Sequence, residues 1–129
     1  MMYTKTTHGI TINVQPEYDV KNSFPSENRF VFRYNIEIIN NSEITVKINR
    51  RQWIIYDVGF GFTEVLGDGI IGLTPTILPG ESFSYFSNVI LRSGVGTMSG
   101  NYFITDLESE NSLEIIIPKF NLLAEVLSN

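Results

Sequence analysis

The glycine-rich segment Gly67–Gly72 carries the pattern in this sequence most often associated with ligand chemistry, because its glycines fit G-x-G-x-x-G. In a dinucleotide-binding fold this pattern joins a strand to a helix, and the helix N-terminus receives the pyrophosphate. Here Pro75 and Pro79 follow closely, and a proline removes an amide donor and clashes with the preceding helical turn. The sequence therefore excludes the nucleotide-binding helix. Two interpretations stay open: an anion-binding loop of inward-facing amides, or a tight connection that uses glycine for positive φ.

A second cluster combines charge and an aromatic ring in Arg51, Trp53 and Asp57. Tryptophan and arginine are favoured at binding hot spots because both offer a large contact area and directional hydrogen bonds. The alternative is structural, with Trp53 in the core and Arg51 paired with Asp57 or another carboxylate. Arg51 would also supply positive charge to an anion held at Gly67–Gly72.

Catalytic and metal-binding residues are scarce, since the chain has one histidine, His8, and no cysteine. A catalytic triad or an imidazole metal site would have to use His8, which we predict to lie in a solvated tail. The carboxylates of Glu64 and Asp68 flank one predicted loop, and those of Glu108 and Glu110 flank another; solvated loop charges explain both pairs. We therefore predict a protein that is not an enzyme, with no metal site and no cofactor.

Composition bounds the class of protein further. A chain of 129 residues has the size of one ordinary domain. Its 9 basic and 14 acidic residues give a net charge of −5, which argues against nucleic-acid binding by phosphate neutralisation. The N-terminal residues lack the apolar core of a signal peptide, and no apolar run reaches the length of a membrane helix. We expect a cytoplasmic protein that makes no membrane contact.

Apolar and polar residues alternate through most of the chain, and this period of two predicts strands that are half buried on one face. The alternating runs, separated by turn signals, begin at Ile10, Phe30, Ile44, Phe83, Met98 and Leu113. This spacing predicts an all-β, antiparallel sandwich of about seven strands. We place the sandwich domain at residues 9–122, between a flexible N-terminal segment, residues 1–8, and a C-terminal tail, residues 123–129.

The alternation changes parity near Arg50. The alternating apolar residues Ile44, Val46 and Ile48 are even-numbered, whereas Trp53 is odd-numbered. Either a β-bulge within Asn49–Gln52 returns Trp53 to the core, or the odd-numbered residues line the second face of the strand.

Four segments resemble the ApaG family in order and spacing, and the resemblance runs from about Ile10 to Phe120. The sequence R-Q-W-I-I-Y-D resembles the family segment R-H-W-x-I-x-D, and V-x-G-D-G-I-I-G-x-x-P resembles V-x-G-E-G-V-V-G-x-x-P. The segments are Arg51–Asp57, Val65–Pro75, Leu78–Ser87 and Gly96–Tyr102.

The resemblance implies a sandwich like a fibronectin type III domain, with no established biochemical activity and a genetic link to cobalt tolerance and magnesium efflux. It also implies a protein-interaction role, since the same domain occurs in larger eukaryotic proteins, and pyrophosphate or nucleotide binding has been suggested for the glycine segment. Gln52 stands where the family usually has histidine, which weakens a metal or acid–base role there. Asp68 replaces glutamate but keeps the charge.

We predict a non-catalytic binding module whose protein partner, of unknown identity, contacts the loops and strand ends around Arg51–Asp57 and Glu64–Pro75. The alternative is a site for a small anion, pyrophosphate or a nucleotide, at the glycine-rich loop. The oligomeric state stays open and includes a homodimer, because a sandwich has edge strands that can pair between subunits. The candidate binding residues are Arg51, Trp53, Asp57, Gly67, Asp68, Gly69, Gly72 and Pro75.

Overall fold

A computed structural model describes residues 1–125, which are built almost entirely from β-strands. In chain order the strands are β1 (Tyr3–Thr7), β2 (Ile10–Tyr18), β3 (Phe30–Asn40), β4 (Val46–Asp57), β5 (Gly61–Asp68), β6 (Thr76–Ile77), β7 (Ser82–Leu91), β8 (Val95–Asp106) and β9 (Ser112–Leu123). A 3₁₀ turn, Pro25–Glu27, precedes β3. No helix within this part of the chain has the length and apolar character needed to cross a membrane.

The strands form two antiparallel sheets with their apolar faces together. One sheet has the order β1-β2-β3-β7, and the other has the order β5-β4-β8-β9, with β6 pairing with β4 as well. This arrangement confirms the predicted all-β antiparallel sandwich. The described residues form nine strands rather than about seven, because β1 and the two-residue β6 carry too little alternation to be recognised in the sequence.

The core lies between the two sheets and consists of the side chains that the alternation placed inward. Each such side chain stabilises the fold by about 1.5–3 kcal/mol through removal of apolar surface from water. The largest fully buried side chains include Ile12, Phe32, Ile36, Ile48, Met98, Tyr102 and Phe120.

A β-bulge in β4 explains the change of parity. Ile48 pairs with Ile104 of β8 and Arg50 pairs with the next residue, Phe103, so the register shifts by one residue at Asn49. Trp53 is therefore directed into the core, where only 3% of its surface is exposed. The first of the two interpretations of Trp53 is confirmed, and Arg51 acquires the same inward direction.

The N-terminal segment predicted to be flexible, residues 1–8, contains strand β1. His8 and Gly9 have φ of 52° and 77°, the signs required by the two-residue turn that joins β1 to β2. The hydroxyl oxygens of Tyr3 and Thr7 accept hydrogen bonds from amides of β9, each at 3.3 Å. The prediction of a free tail was wrong because β1 is an edge strand of mostly polar residues, which gives no apolar alternation.

The C-terminal tail, predicted at residues 123–129, begins inside the sandwich. Leu123 is the last residue of β9, and Ala124 is fully buried with its amide donating to the carbonyl oxygen of Gly94 at 2.9 Å. The remainder of the predicted tail, residues 126–129, lies outside the described residues.

The bulge leads to a stability prediction for two neighbouring residues. We expect Trp53→Ala to lower the free energy of unfolding by about 3–5 kcal/mol, because it leaves a cavity between the sheets. Ile54→Ala, one residue along on the outer face, should lower it by less than about 1 kcal/mol. Denaturant-induced unfolding of both variants measures the difference, and similar losses would contradict the assigned register.

Candidate functional site

The glycine-rich segment interrupts an edge strand. Both β5 and β6 pair with the same side of β4, and the amide of Gly69 donates to the carbonyl oxygen of Asn49 at 2.6 Å. On the far side of the segment, the amide of Ile48 donates to the carbonyl oxygen of Pro75 at 3.0 Å. Residues 69–74 therefore leave the edge of the sheet as a short excursion and return to it.

The excursion is a tight turn. Ile70 and Leu73 exchange backbone hydrogen bonds of 2.7 and 2.8 Å, and the two residues between them, Ile71 and Gly72, have φ of 44° and 79°. Positive φ at both central positions is the mark of a type I′ turn. A Cβ on Gly69 would lie 2.0 Å from the carbonyl oxygen of Leu73, so the turn also requires glycine at its base.

An isoleucine at the tip of this turn is strained. Positive φ in a β-branched residue costs about 1–3 kcal/mol, and Ile71 has it while 54% of its side chain is exposed to solvent. Ile70 beside it is completely buried and anchors the turn in the core. The turn thus holds one isoleucine in the core and presents the other at its tip.

An anion site at Gly67–Gly72 would need several free amides directed at one point. The amides of Gly69 and Ile70 already donate to backbone carbonyl oxygens. The carbonyl oxygens of Asp68 and Gly69, rather than amides, face the Arg51 guanidinium. This geometry favours a tight connection over an anion-binding loop.

Arg51 and Gly67 form a matched pair across β4 and β5. Arg51 lies opposite Gly67 in the strand register, and its Nη1 donates to the carbonyl oxygens of Asp68 at 2.8 Å and Gly69 at 3.1 Å. A Cβ on Gly67 would lie 2.7 Å from the guanidinium carbon. Gly67 therefore leaves the space through which the half-buried Arg51 side chain reaches the end of β5.

The remaining predicted site residues, Asp57 and Trp53, make contacts within the fold. The Asp57 carboxylate accepts hydrogen bonds from the amides of Arg92 at 2.8 Å and Ser93 at 3.1 Å, so it caps the turn between β7 and β8 rather than pairing with Arg51. Trp53 packs edge-on against Tyr34, with ring centroids 5.4 Å apart.

The predicted set consequently divides into separate places in the fold. Arg51, Gly67, Asp68 and Gly69 lie together at the end of β5, with Gly72 in the excursion that follows and Pro75 where the chain returns to β4. Asp57 is six residues along β4 from Arg51, a distance of about 20 Å in an extended strand, and Trp53 faces the core between them.

A cluster of three tyrosines lies between the sheets beside Arg51. The hydroxyl groups of Tyr85 and Tyr102 hydrogen-bond to each other, and Tyr34 is close enough to interact with both electrostatically. Burial raises the pKa of each phenol, most strongly at Tyr102, and the positive charge of Arg51 opposes this rise in pKa. The cluster keeps its hydroxyl groups neutral and serves as a polar part of the core.

The acidic residues considered as metal ligands serve local roles. Glu64 accepts a hydrogen bond from Gln52 at 3.3 Å, and Asp106 organises the turn that carries Glu108 and Glu110. Backbone donation from Glu108 and side-chain donation from Ser109 lower the pKa of Asp106. Among residues 1–125, no three histidine, aspartate or glutamate side chains are grouped as a metal ligand set.

A largely apolar surface lies on the outer face of β4 and β5. We call it the edge surface, and its residues are Ile54, Tyr56, Phe62, Glu64 and Leu66. Phe62 is 74% exposed and Leu66 is 53% exposed. Tyr56 lies opposite Phe62 in the register, and their ring centroids are 4.6 Å apart.

Sequence reasoning missed the apolar residues of the edge surface. Phe62, Glu64 and Leu66 alternate with Thr63 and Val65 in the sequence, and the sequence is compatible with either set facing the core. Periodicity shows that residues share a face and does not show which face is buried. The absence of lysine and proline from β5, both common protections of an edge strand, is the signal that marks this surface.

The contact between Arg51 and Gly67 gives a second prediction. Gly67→Ala should displace the guanidinium and lower the free energy of unfolding by about 1–3 kcal/mol, the usual value of a charged group's hydrogen bonds. In an Arg51→Ala background the same change should cost much less, and denaturation of the four proteins in the cycle measures this coupling. Purely additive losses would contradict the contact.

The buried tyrosines give a third prediction. Because folding raises the pKa of Tyr34, Tyr85 and Tyr102 above the usual value near 10, stability is full below that pH and falls as pH rises beyond it. Phenolate absorbance should show ionisation of these residues together with the loss of the circular-dichroism signal of the fold. Ionisation of all three in the folded protein would contradict the assigned burial. Tyr85→Phe should reduce the amplitude of this step.

The comparison with known proteins agrees with the resemblance of the four sequence segments. A family model described as the ApaG domain matches residues 20–106. Protein ApaG from Methylorubrum populi and protein ApaG from Brucella abortus are each 40% identical to this chain over 121 residues, covering 94% of this chain and 92% of the relative. A crystal structure described as an ApaA protein from Bordetella pertussis superposes with a TM-score of 0.86 at 34% identity, covering 90% of this chain and 94% of that one. The chain therefore belongs to the ApaG family.

Proposed function

We propose that this chain is a non-catalytic binding module and that a protein partner docks on the edge surface. The observation that carries the proposal is the exposure of Ile54, Phe62 and Leu66 side by side on the outer face of an edge strand and its neighbour, at 39%, 74% and 53%. Apolar patches on the surface of a small domain mark interaction sites more often than single exposed residues do.

The energetics support a protein partner. Covering each of these apolar side chains would stabilise a complex by about 1.5–3 kcal/mol before the costs of association. Aromatic residues with adjacent polar groups are typical of interfaces, and here the paired rings of Tyr56 and Phe62 lie beside Glu64, which is hydrogen-bonded to Gln52. A small anion would gain nothing from this surface.

The opposite sheet provides a contrast. Phe86 on the outer face of β7 is 51% exposed, close to the value for Leu66, but the Arg33 guanidinium lies 3.6 Å from its ring centroid. Arg33 also forms an ion pair of 3.6 Å with Glu17. A fixed charge therefore covers Phe86, whereas the neighbours of Phe62 and Leu66 on their face are Tyr56, Ile54, Gln52 and Glu64.

The strained turn lies along the same edge. Ile71 and Leu73 expose 54% and 52% of their surfaces just beyond the end of β5. An exposed glycine or asparagine at position 71 would relieve the strain at no cost in burial. An isoleucine at this position is explained if the partner also covers the tip of the turn.

A photo-crosslinking experiment tests the proposal. Benzoylphenylalanine in place of Leu66 should yield discrete, saturable crosslinks to a partner protein in cell extract, because this exposed position belongs to the proposed interface. The same group in place of Phe86 is the matched control, since the two positions have nearly equal exposure. Equal crosslinking from both positions, or none from either, would contradict the proposal.

Side-chain variants provide the second half of the test. Phe62→Ser and Leu66→Ser should reduce capture of the crosslinked protein at least about tenfold, while changing the free energy of unfolding by less than about 1 kcal/mol because both positions are exposed. Phe86→Ser should leave capture unchanged.

A further inference from the structure

We propose that the free backbone edge of β5 accepts an extended segment of the partner as an added antiparallel strand, with a basic residue of that segment opposite Glu64. This inference rests on the proposed function and specifies how the partner binds. In the part of the chain that the structure describes, β5 pairs with β4 alone, so its other edge is open.

The direction of the backbone groups follows from the register. The amide of Gly69 donates to the carbonyl oxygen of Asn49 in β4. The backbone N–H and C=O groups of the odd-numbered residues of β5 therefore point toward β4, whereas those of Phe62, Glu64 and Leu66 point away from it. The carbonyl group of Asp68 is consistent with this assignment, since its oxygen accepts a hydrogen bond from the Arg51 side chain rather than from a backbone amide of β4.

Arg51 limits the edge at one end. Its guanidinium donates a hydrogen bond to the carbonyl oxygen of Asp68, which an added strand would otherwise use as an acceptor. The turn before Gly61 limits the edge at the other end. The open part is therefore Phe62–Leu66, which offers three outward-facing residues for pairing.

A second copy of this chain fits the open edge poorly. The two-fold register that uses all three outward-facing residues places Phe62 opposite the partner copy's Leu66 and Glu64 opposite Glu64. Residues directly opposite each other have Cβ atoms about 5 Å apart, and like charges in this position are destabilising. Self-pairing is thus opposed at its centre.

The same geometry defines the segment that fits. A basic residue opposite Glu64 replaces repulsion with attraction, and apolar residues two positions away on each side contact Phe62 and Leu66. The net charge of −5 on the chain favours a basic segment over an acidic one. The partner segment therefore has the pattern apolar-x-basic-x-apolar in an extended conformation.

A peptide titration tests the charge requirement. The probe is the capped peptide Gly-Phe-Thr-Lys-Val-Leu-Gly, which is β5 with lysine in place of Glu64, and the matched control carries glutamate at that position. Amide shifts of Phe62–Leu66 in the isotope-labelled protein should saturate with the lysine peptide at a concentration about tenfold lower than with the glutamate peptide. In the Glu64→Lys variant this preference should reverse. No saturable binding, or a preference that does not reverse, would overturn the inference.

Backbone methylation tests the strand geometry. An N-methyl group on the lysine of the probe, whose amide faces β5, should abolish the shifts, whereas an N-methyl group on the adjacent valine, whose amide faces solvent, should leave at least about a third of the affinity. Equal effects of the two groups would overturn strand addition. Crosslinking at Leu66 that persists in that case would leave the proposed function standing, so the two failures are distinguishable.

Discussion

The one-residue bulge at Asn49 is the constraint on which the rest of the structure depends. Without the extra residue, every side chain of β4 after Ile48 would change faces, because the side-chain period of a strand is two. With it, Trp53 fills the core, Arg51 turns inward, and Ile54 and Tyr56 turn outward. The core, the end of the edge strand and the exposed apolar surface are therefore three consequences of one backbone irregularity.

The inward direction of Arg51 makes the glycines at the end of β5 necessary. A guanidinium facing the interior needs acceptors, and the carbonyl oxygens of Asp68 and Gly69 supply them once Gly67 leaves a passage. Gly69 then permits the turn that places Ile70 in the core. The pattern G-x-G-x-x-G thus has a structural explanation: a side chain at Gly67 or Gly69 would clash with its surroundings, and Gly72 adopts a positive φ in the turn.

The sequence predicted the fold well and the candidate site only in part, for a physical reason. Alternation reports which residues share a face, which is enough to place Phe32, Ile36 and Tyr102 in the core of a sandwich. It also left two alternatives for the side chain of Trp53, the core or the second face of the strand, and the bulge places it in the core. It could not identify Phe62 and Leu66, because at an edge strand the covered face is decided by tertiary neighbours that no local pattern records.

In the proposed complex the exposed edge has to disfavour copies of itself while remaining available, and the carboxylate of Glu64 contributes to this selectivity. Residues directly opposite each other across a strand pair have Cβ atoms about 5 Å apart; such a pair changes stability by about 0.2–1 kcal/mol, and like charges make the change unfavourable. The separation is also shorter than the screening length of about 8 Å at physiological ionic strength, so salt removes only part of the repulsion. In the proposed complex Glu64 would discriminate between partner segments by charge, whereas a proline would remove a backbone donor from the edge whatever the partner, and an edge protected in this selective way is suited to binding as well as to avoiding aggregation.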